Sequence, residues 1–142
     1  MKKTIIFIVL ASVVGIFLSY YYYLKLQEEI DVKIISVFQT GVYSSYDEAL
    51  VASNNKSNIF FDGKLYHVYD SISASKEAKD KLIKFYDNNN VKYYVKEKYV
   101  NLKLYDDLLK YSKLIEISDN DTIKIINKQM IEKYGADILW VI

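Results

Sequence analysis

Two strand–helix–strand patterns follow each other between positions 34 and 100, and this repetition limits the fold more than any other feature of the sequence. Each half begins with an apolar or alternating segment, continues into a helix start signal and ends in a second such segment. Asp62 and Gly63 separate the two central segments and are a strong hairpin signal, so these strands should be antiparallel neighbours. The pattern predicts an α+β fold of the βαββαβ, ferredoxin/RNP-like type: a four-stranded antiparallel sheet with two helices on one face.

The other face of this sheet is expected to be free to bind a ligand. Side chains alternate between the two faces of a strand, so the residues of the free face can be assigned from their spacing. The residues assigned to it include Gln39, Gly41, Leu65, His67, Tyr69 and Tyr94, and Lys92 and Lys96 share the strand face of Tyr94. Aromatic rings can cover the apolar face of a sugar, and an amide such as that of Gln39 can hydrogen-bond to its hydroxyl groups.

Each of these residues also has an ordinary structural interpretation. Gln39 can be a solvated polar residue, and His67 can be an exposed strand residue. Tyr69 and Tyr94 suit strands through their β-propensity, and helices from the C-terminal part can cover them. Ser44 stands just before the first helix of the module, where a serine acts as a helix cap. Only the shared placement on one face distinguishes these residues as a set.

Three segments of the module resemble the SPOR domain, a family associated with cell division and sporulation that binds peptidoglycan glycan strands lacking stem peptides. They are FQTGVYSSYDEA, YHVYDSISASKEAKDKL and VKYYVKE, and the resemblance covers residues 32–100. One departure is the pair Asp70 and Ser71, where many members have a glycine after the third strand. The resemblance implies a bacterial, non-catalytic domain without a metal or cofactor. The glycan-binding residues that it implies are Gln39, Gly41, Ser44, Leu65, His67, Tyr69 and Tyr94.

An uncharged apolar segment precedes the module. It begins at Thr4 and ends at Leu24, and as a helix it would be about 31 Å long, enough to cross the hydrocarbon core of a bilayer. Lys2 and Lys3 precede it and favour a cytoplasmic N-terminus. The segment predicts a single-pass anchor in the cell membrane, with the C-terminal domain extracytoplasmic. A cleaved signal peptide is the alternative.

These assignments divide the chain into four parts: a transmembrane anchor at 1–25, a connector at 26–32, the SPOR-like domain at 33–100 and a C-terminal helical extension at 101–142. The extension is predicted to form a helical hairpin, because an amphipathic stretch at 105–117 precedes a second helix that Gly135 should end. The polar run at 54–58 is predicted to be a loop, and the last residues form an apolar tail.

Composition excludes several function classes. Cysteine is absent and His67 is the single histidine, so the sequence offers no Cys-based or multi-histidine metal site and no Cys–His nucleophile. No G-x-S-x-G motif presents a serine, and adjacent carboxylates on a helix diverge, so we expect no enzyme. The net charge is +1 and every basic residue is a lysine, which argues against nucleic-acid binding because such proteins favour arginine.

The sequence therefore predicts a membrane-anchored protein that binds peptidoglycan glycan strands and takes part in cell division or envelope maintenance. Its expected partners are glycan strands, the cytoplasmic membrane and other division or envelope proteins. The alternative is an envelope scaffold that keeps the fold but contacts another protein, through the same sheet face or through the C-terminal helices.

Overall fold

The computed structural model describes residues 2–30, 32–53 and 58–139; along the first helix, side chains are described at 6 and from 10 to 26. Within these ranges five helices and four strands follow one another in this order: α1 Lys2–Ile30, β1 Val32–Tyr43, α2 Tyr46–Ser53, β2 Ile59–Phe61, β3 Tyr66–Ser73, α3 Lys76–Asn88, β4 Tyr94–Asn101, α4 Leu102–Ile117 and α5 Asn120–Leu139. Most of the predicted loop at 54–58 and the end of the apolar tail, 140–142, lie outside the described residues.

The strands form a four-stranded antiparallel sheet in the order β2-β3-β1-β4. β1 lies inside the sheet and pairs with β3 on one side and with β4 on the other. Its long central run, from 35 to 39, is buried without interruption, as expected of a strand that is covered on both faces. The chain is therefore α+β, with the sheet at its centre.

The pairing of β1 with β3 shifts twice within a few residues. Phe38 pairs with Ser71 and Gln39 with Tyr69, so β3 contains one extra residue between these pairs; Gly41 then pairs with Val68, so β1 contains one extra residue in return. Such bulges change which face a side chain occupies. As a result, Gly41 shares a face with Val68, and the prediction that it lies beside Gln39 is wrong.

Local sequence signals explain where three of the helices begin. The Ser45 hydroxyl accepts a hydrogen bond from the backbone N–H of Glu48 at 3.3 Å, and that of Ser75 accepts one from Ala78 at 3.2 Å. These are the N-cap contacts that satisfy the first amides of α2 and α3. Asn101 caps α4 in the same way, which lets β4 pass directly into that helix.

α5 does not end at Gly135, as the sequence predicted, but continues to Leu139. A glycine inside a helix costs only about 1 kcal/mol relative to alanine. Ile138, one turn later, is almost completely buried, and this burial outweighs the cost of the glycine.

More helices cover the sheet than the two that were predicted. On one face Phe38 stacks against Tyr86 of α3, with ring centroids 5.4 Å apart, and Tyr46 of α2 meets Tyr66 edge-on at 5.8 Å. In addition, α4 contacts β1, β3 and β4, and α5 contacts β3. Residues of α3, α4 and α5 share one core cluster with the sheet, so the predicted two-helix sandwich with an open second face is wrong.

The N-terminal part also differs from the prediction. Among the residues that the structure describes, no helix is long and apolar enough to cross a membrane. The stretch at 10–26 contains two serines, four consecutive tyrosines and Lys25, so it is not apolar enough for a membrane span. The predicted anchor between Thr4 and Leu24 is therefore wrong, and so is the single-pass location. α1 also continues to Ile30, inside the predicted connector.

Candidate functional site

Five side chains at one end of the sheet form a connected group, which we call the His67 row: Asp62, His67, Gln39, Tyr69 and Lys96. In this row His67 Nε2 lies 2.7 Å from Asp62 Oδ2, and His67 Nδ1 lies 3.1 Å from Gln39 Oε1. The His67 and Tyr69 rings are stacked, with centroids 6.2 Å apart. β1, β3 and β4 each supply at least one member, so the sheet register brings the group together.

Asp62 is the exposed member of the row and contacts His67. Its Oδ1 atom accepts hydrogen bonds from the backbone N–H groups of Lys64 at 2.9 Å and Leu65 at 2.8 Å, which is the local turn that aspartate favours. Gly63 has a φ of +94°, a conformation in which glycine is unstrained. The bond from Leu65 lowers the pKa of Asp62 most, followed by those from His67 and Lys64, so this carboxyl group is ionised at neutral pH.

Both ring nitrogens of His67 face hydrogen-bond acceptors. The Asp62 carboxylate accepts only, and Gln39 presents its carbonyl oxygen, so both contacts are satisfied together when the ring is a doubly protonated imidazolium. A neutral ring satisfies them if the Gln39 amide turns and donates to Nδ1. The orientation of the Gln39 amide therefore decides whether Nδ1 donates or accepts in this contact.

Tyr69 lies at the buried end of the row. Phe60 meets its ring edge-on at 6.2 Å, and Lys96 Nζ lies 5.7 Å from the ring centroid and 3.4 Å from the hydroxyl oxygen. Burial, and secondarily the negative charge of Asp62, raise the pKa of Tyr69. The hydroxyl group is therefore protonated at neutral pH and available as a donor.

The structure brings together three of the predicted site residues, Gln39, His67 and Tyr69. However, Gln39 and Tyr69 are only 8% and 6% exposed, so they cannot offer the open stacking surface that the sequence predicted. Tyr94 stands directly opposite Gln39 in the register of β1 and β4 and is 64% exposed. Leu65 is exposed beside the Asp62 turn. These two residues form the accessible border of the row.

Two predicted site residues lie apart from the row. Gly41 packs against its near neighbour Tyr43, since a Cβ atom built on it would stand only 2.4 Å from the Tyr43 ring. The Ser44 hydroxyl donates to the Glu48 carboxylate at 3.3 Å at the start of α2. Both positions therefore have structural partners of their own.

The sequence interpretation missed Asp62 as a member of the row. It assigned Lys96 to the same strand face as Tyr94 but gave it no role in the site. Asp62 was interpreted only as a turn residue, although a histidine follows it by five positions, on the strand that the turn begins. Lys96 follows Tyr94 by two positions and therefore shares its face, but the long-range contact with Tyr69 depends on the strand order.

The row presents several kinds of polar group to a ligand. Asp62 and Gln39 each contact one ring nitrogen of His67. In the part of the chain that the structure describes, no three His, Asp or Glu side chains are placed to hold a metal ion. The row instead offers a fixed carboxylate, an ammonium group, a hydroxyl group and, at its border, an exposed aromatic ring.

Comparison of the chain with protein-family models, with curated proteins and with solved structures finds no match, so these comparisons identify no family for it.

Proposed function

We propose that the chain is a non-catalytic module that binds peptidoglycan glycan strands, as its resemblance to SPOR domains implies, through the surface around Tyr94 and the Asp62 turn. The observation that carries the proposal is the position of Tyr94, an exposed ring directly opposite Gln39 at the border of the His67 row. A sugar needs an apolar surface for its ring and polar groups for its hydroxyls. Tyr94 supplies the first, and the exposed Asp62 carboxylate, across β1 and β3 from it, supplies the second.

The buried members of the row have a supporting role in this proposal. Gln39 and Tyr69 are too enclosed to contact a polymer, but their contacts hold His67 and Lys96 in place. The exposed carboxylate of Asp62 can accept hydrogen bonds from sugar hydroxyls or N-acetyl amides. Affinity for one site should be modest, and the many sites on a cell wall would raise the overall binding through avidity.

The test is a pull-down of the purified full chain with peptidoglycan sacculi, before and after an amidase removes the stem peptides. Binding should increase on stripping. Tyr94→Ala should weaken it about two- to tenfold, as expected for losing one aromatic contact. The matched control is Tyr99→Ala, because Tyr99 is on the same edge strand, is 67% exposed and lies on the opposite face. Equal losses in both variants would contradict the proposed surface.

A second candidate is a protein-interaction module, and the burial of Gln39 and Tyr69 favours it, because a face closed by neighbouring elements is less suited to a polymer. The same pull-down separates the two candidates. If neither preparation of sacculi binds the chain, glycan recognition is excluded. Chemical cross-linking followed by mass spectrometry would then identify the protein partner.

A further inference from the structure

A cavity of about 340 Å³ lies between the end of α2, the beginning of β2, the β3 bulge, α3 and α5. It shares no residue with the His67 row. Its lining combines a hydroxyl group, buried amides, carboxylates, lysines and one aromatic ring: Ser53, Asn58, Asp70, Phe85, Lys124, Asn127, Lys128 and Glu132. Its volume is at the lower end of the range of small-molecule sites, about 300–1,000 Å³.

Two amide oxygens in this lining lack a hydrogen-bond donor. Asn58 is only 6% exposed and Asn127 only 3%, and neither Oδ1 atom accepts a hydrogen bond from any residue in the described ranges. Buried polar atoms in proteins are nearly always hydrogen-bonded, because an unpaired one is costly. A ligand in the cavity that donates hydrogen bonds to these two oxygens would remove this cost.

Asp70 adds a carboxylate to these two acceptors. Its Oδ2 atom accepts a hydrogen bond from the hydroxyl group of Tyr86 at 2.8 Å, which orients the group, and a carboxylate has capacity for further donors. Two amide oxygens and a carboxylate match a primary ammonium group, which carries three N–H donors and a positive charge.

Two lysines of α5 add positive charge to the lining of the cavity. Lys124 pairs with Asp121 at 3.3 Å and Lys128 with Glu132 at 4.0 Å, and all of these side chains are substantially exposed. Exposed ion pairs of this kind are weak, so either lysine can turn to a carboxylate in the cavity. The two lysines balance the charges of Asp70 and Glu132, so a ligand without net charge fits best.

From these contacts we infer that the cavity binds a small zwitterion with a primary ammonium group and a carboxylate, of which an α-amino acid is the simplest. The ammonium group donates to Asn58, Asn127 and Asp70, and the carboxylate faces Lys124 or Lys128. Phe85 supplies an apolar surface for the rest of the ligand. This inference is independent of glycan binding, because it concerns a different part of the molecule.

NMR titration of the ¹⁵N-labelled full chain tests the inference with three probes. L-Alanine carries both charges, methylamine only the ammonium group and acetate only the carboxylate. We expect saturable shifts with L-alanine that include the Asn58 and Asn127 side-chain amides. Binding of methylamine should be about tenfold weaker, the effect of losing one charged contact. Acetate should cause no shift of these amides.

Asn127→Leu removes one acceptor while keeping a side chain of similar size, and it should weaken L-alanine binding about tenfold. Asp70→Asn keeps an acceptor for Tyr86 but removes the charge, so it should weaken both L-alanine and methylamine. Gln129→Leu is the control, because Gln129 is an exposed amide on the same helix. The amide spectrum of each variant shows independently whether it is folded.

Three results would overturn the inference. The first is the absence of a saturable L-alanine shift in the folded chain. The second is binding of acetate or methylamine as strong as that of L-alanine. The third is an Asn127→Leu variant that is folded and binds L-alanine with unchanged affinity.

Discussion

His67 Nδ1 lies 3.1 Å from Gln39 Oε1, and 28 positions separate these two residues in the chain. The contact joins β1 to β3 at the point where their pairing shifts twice. A backbone ladder alone does not distinguish one register from its neighbours, whereas a side-chain bond between particular residues does. The His67–Gln39 contact therefore helps to specify the register that builds the candidate site.

Gln39→Leu should destabilise the chain by about 1–3 kcal/mol, because it leaves the half-buried ring of His67 with one unpaired nitrogen. Urea denaturation of the wild type and the variant measures the change. In a double-mutant cycle with His67→Phe, we expect a coupling energy above about 0.5 kcal/mol. Strictly additive losses would show that the contact contributes nothing of its own.

The contribution of Asp62 to stability should depend on pH. Its pKa is lower in the folded chain than its ordinary value of 3.8, so the unfolded chain takes up the proton first as the pH falls. The stabilisation is complete above that value and is lost as the pH falls towards the folded pKa. Asp62→Ala should therefore lower the melting temperature at about pH 6, and the difference from wild type should shrink below about pH 4.

Asp80→Ala is the matched control for this titration, because Asp80 is an exposed carboxylate on α3. At about pH 6 its melting temperature should stay close to that of the wild type, whereas that of Asp62→Ala should not. A difference between Asp62→Ala and wild type that stays constant down to the acid limit would contradict the role of the ionised carboxylate.

Tyr86→Phe should cost about 1–3 kcal/mol of stability. The Tyr86 hydroxyl group is fully buried, donates to Asp70 and is hydrogen-bonded to the hydroxyl group of Ser71, and both partners lose this contact in the variant. Tyr93→Phe is the control, since the ring of Tyr93 lies 5.3 Å from that of Tyr86 but its hydroxyl group makes only a 3.2 Å exposed bond to Asp87. Urea denaturation should show a small loss for Tyr93→Phe, and a loss as large as that of Tyr86→Phe would contradict this account.

The same tyrosine should affect alkaline unfolding. Burial, and secondarily the charge of Asp70, raise the pKa of Tyr86 well above its ordinary value of 10.0. Its stabilising contribution is complete below that value and is lost at higher pH, because the unfolded chain releases this proton first. Tyr86→Phe should therefore lose less stability than wild type when the pH rises above about 10, and a parallel loss would show that Tyr86 does not titrate as described.

Gly41→Ala should destabilise the chain by about 1 kcal/mol, because the added Cβ would overlap the ring of Tyr43 and force it to move. The ring belongs to a partly exposed side chain and can shift, which keeps the cost low. In a Tyr43→Ala background the same substitution should cost almost nothing. A cost that is unchanged in that background would place the strain in the backbone instead.

The sequence predicted those features that depend on neighbouring residues. The turn at Asp62 follows from local hydrogen bonds, which short segments encode. A serine cap at the start of α2 was also expected, and the capping hydroxyl is that of Ser45, next to Ser44. The strand positions followed from alternation, and four of the residues assigned to one face do meet: Gln39, His67, Tyr69 and Lys96.

Features that depend on distant parts of the chain were not predictable in this way. The two register shifts between β1 and β3 moved Gly41 to the other face, and no local signal marks them. Gln39 and Tyr69 are buried because other elements pack against the sheet, which a spacing rule for one strand cannot reveal. The unpaired oxygen of Asn127 becomes apparent only when α5 is placed beside β3.

Because the sheet and α5 share one core, this core cannot be completed before α5 has been synthesised. Ile35 in β1 and Ile138 near the end of α5 belong to the same buried cluster, although almost the whole sheet and three helices separate them. A ribosome delivers the chain from its N-terminus, so the sheet strands emerge well before the residues that complete their core. During synthesis, part of the apolar surface of the early strands therefore stays uncovered until position 138 has emerged. In this interval the nascent chain would be most dependent on chaperones.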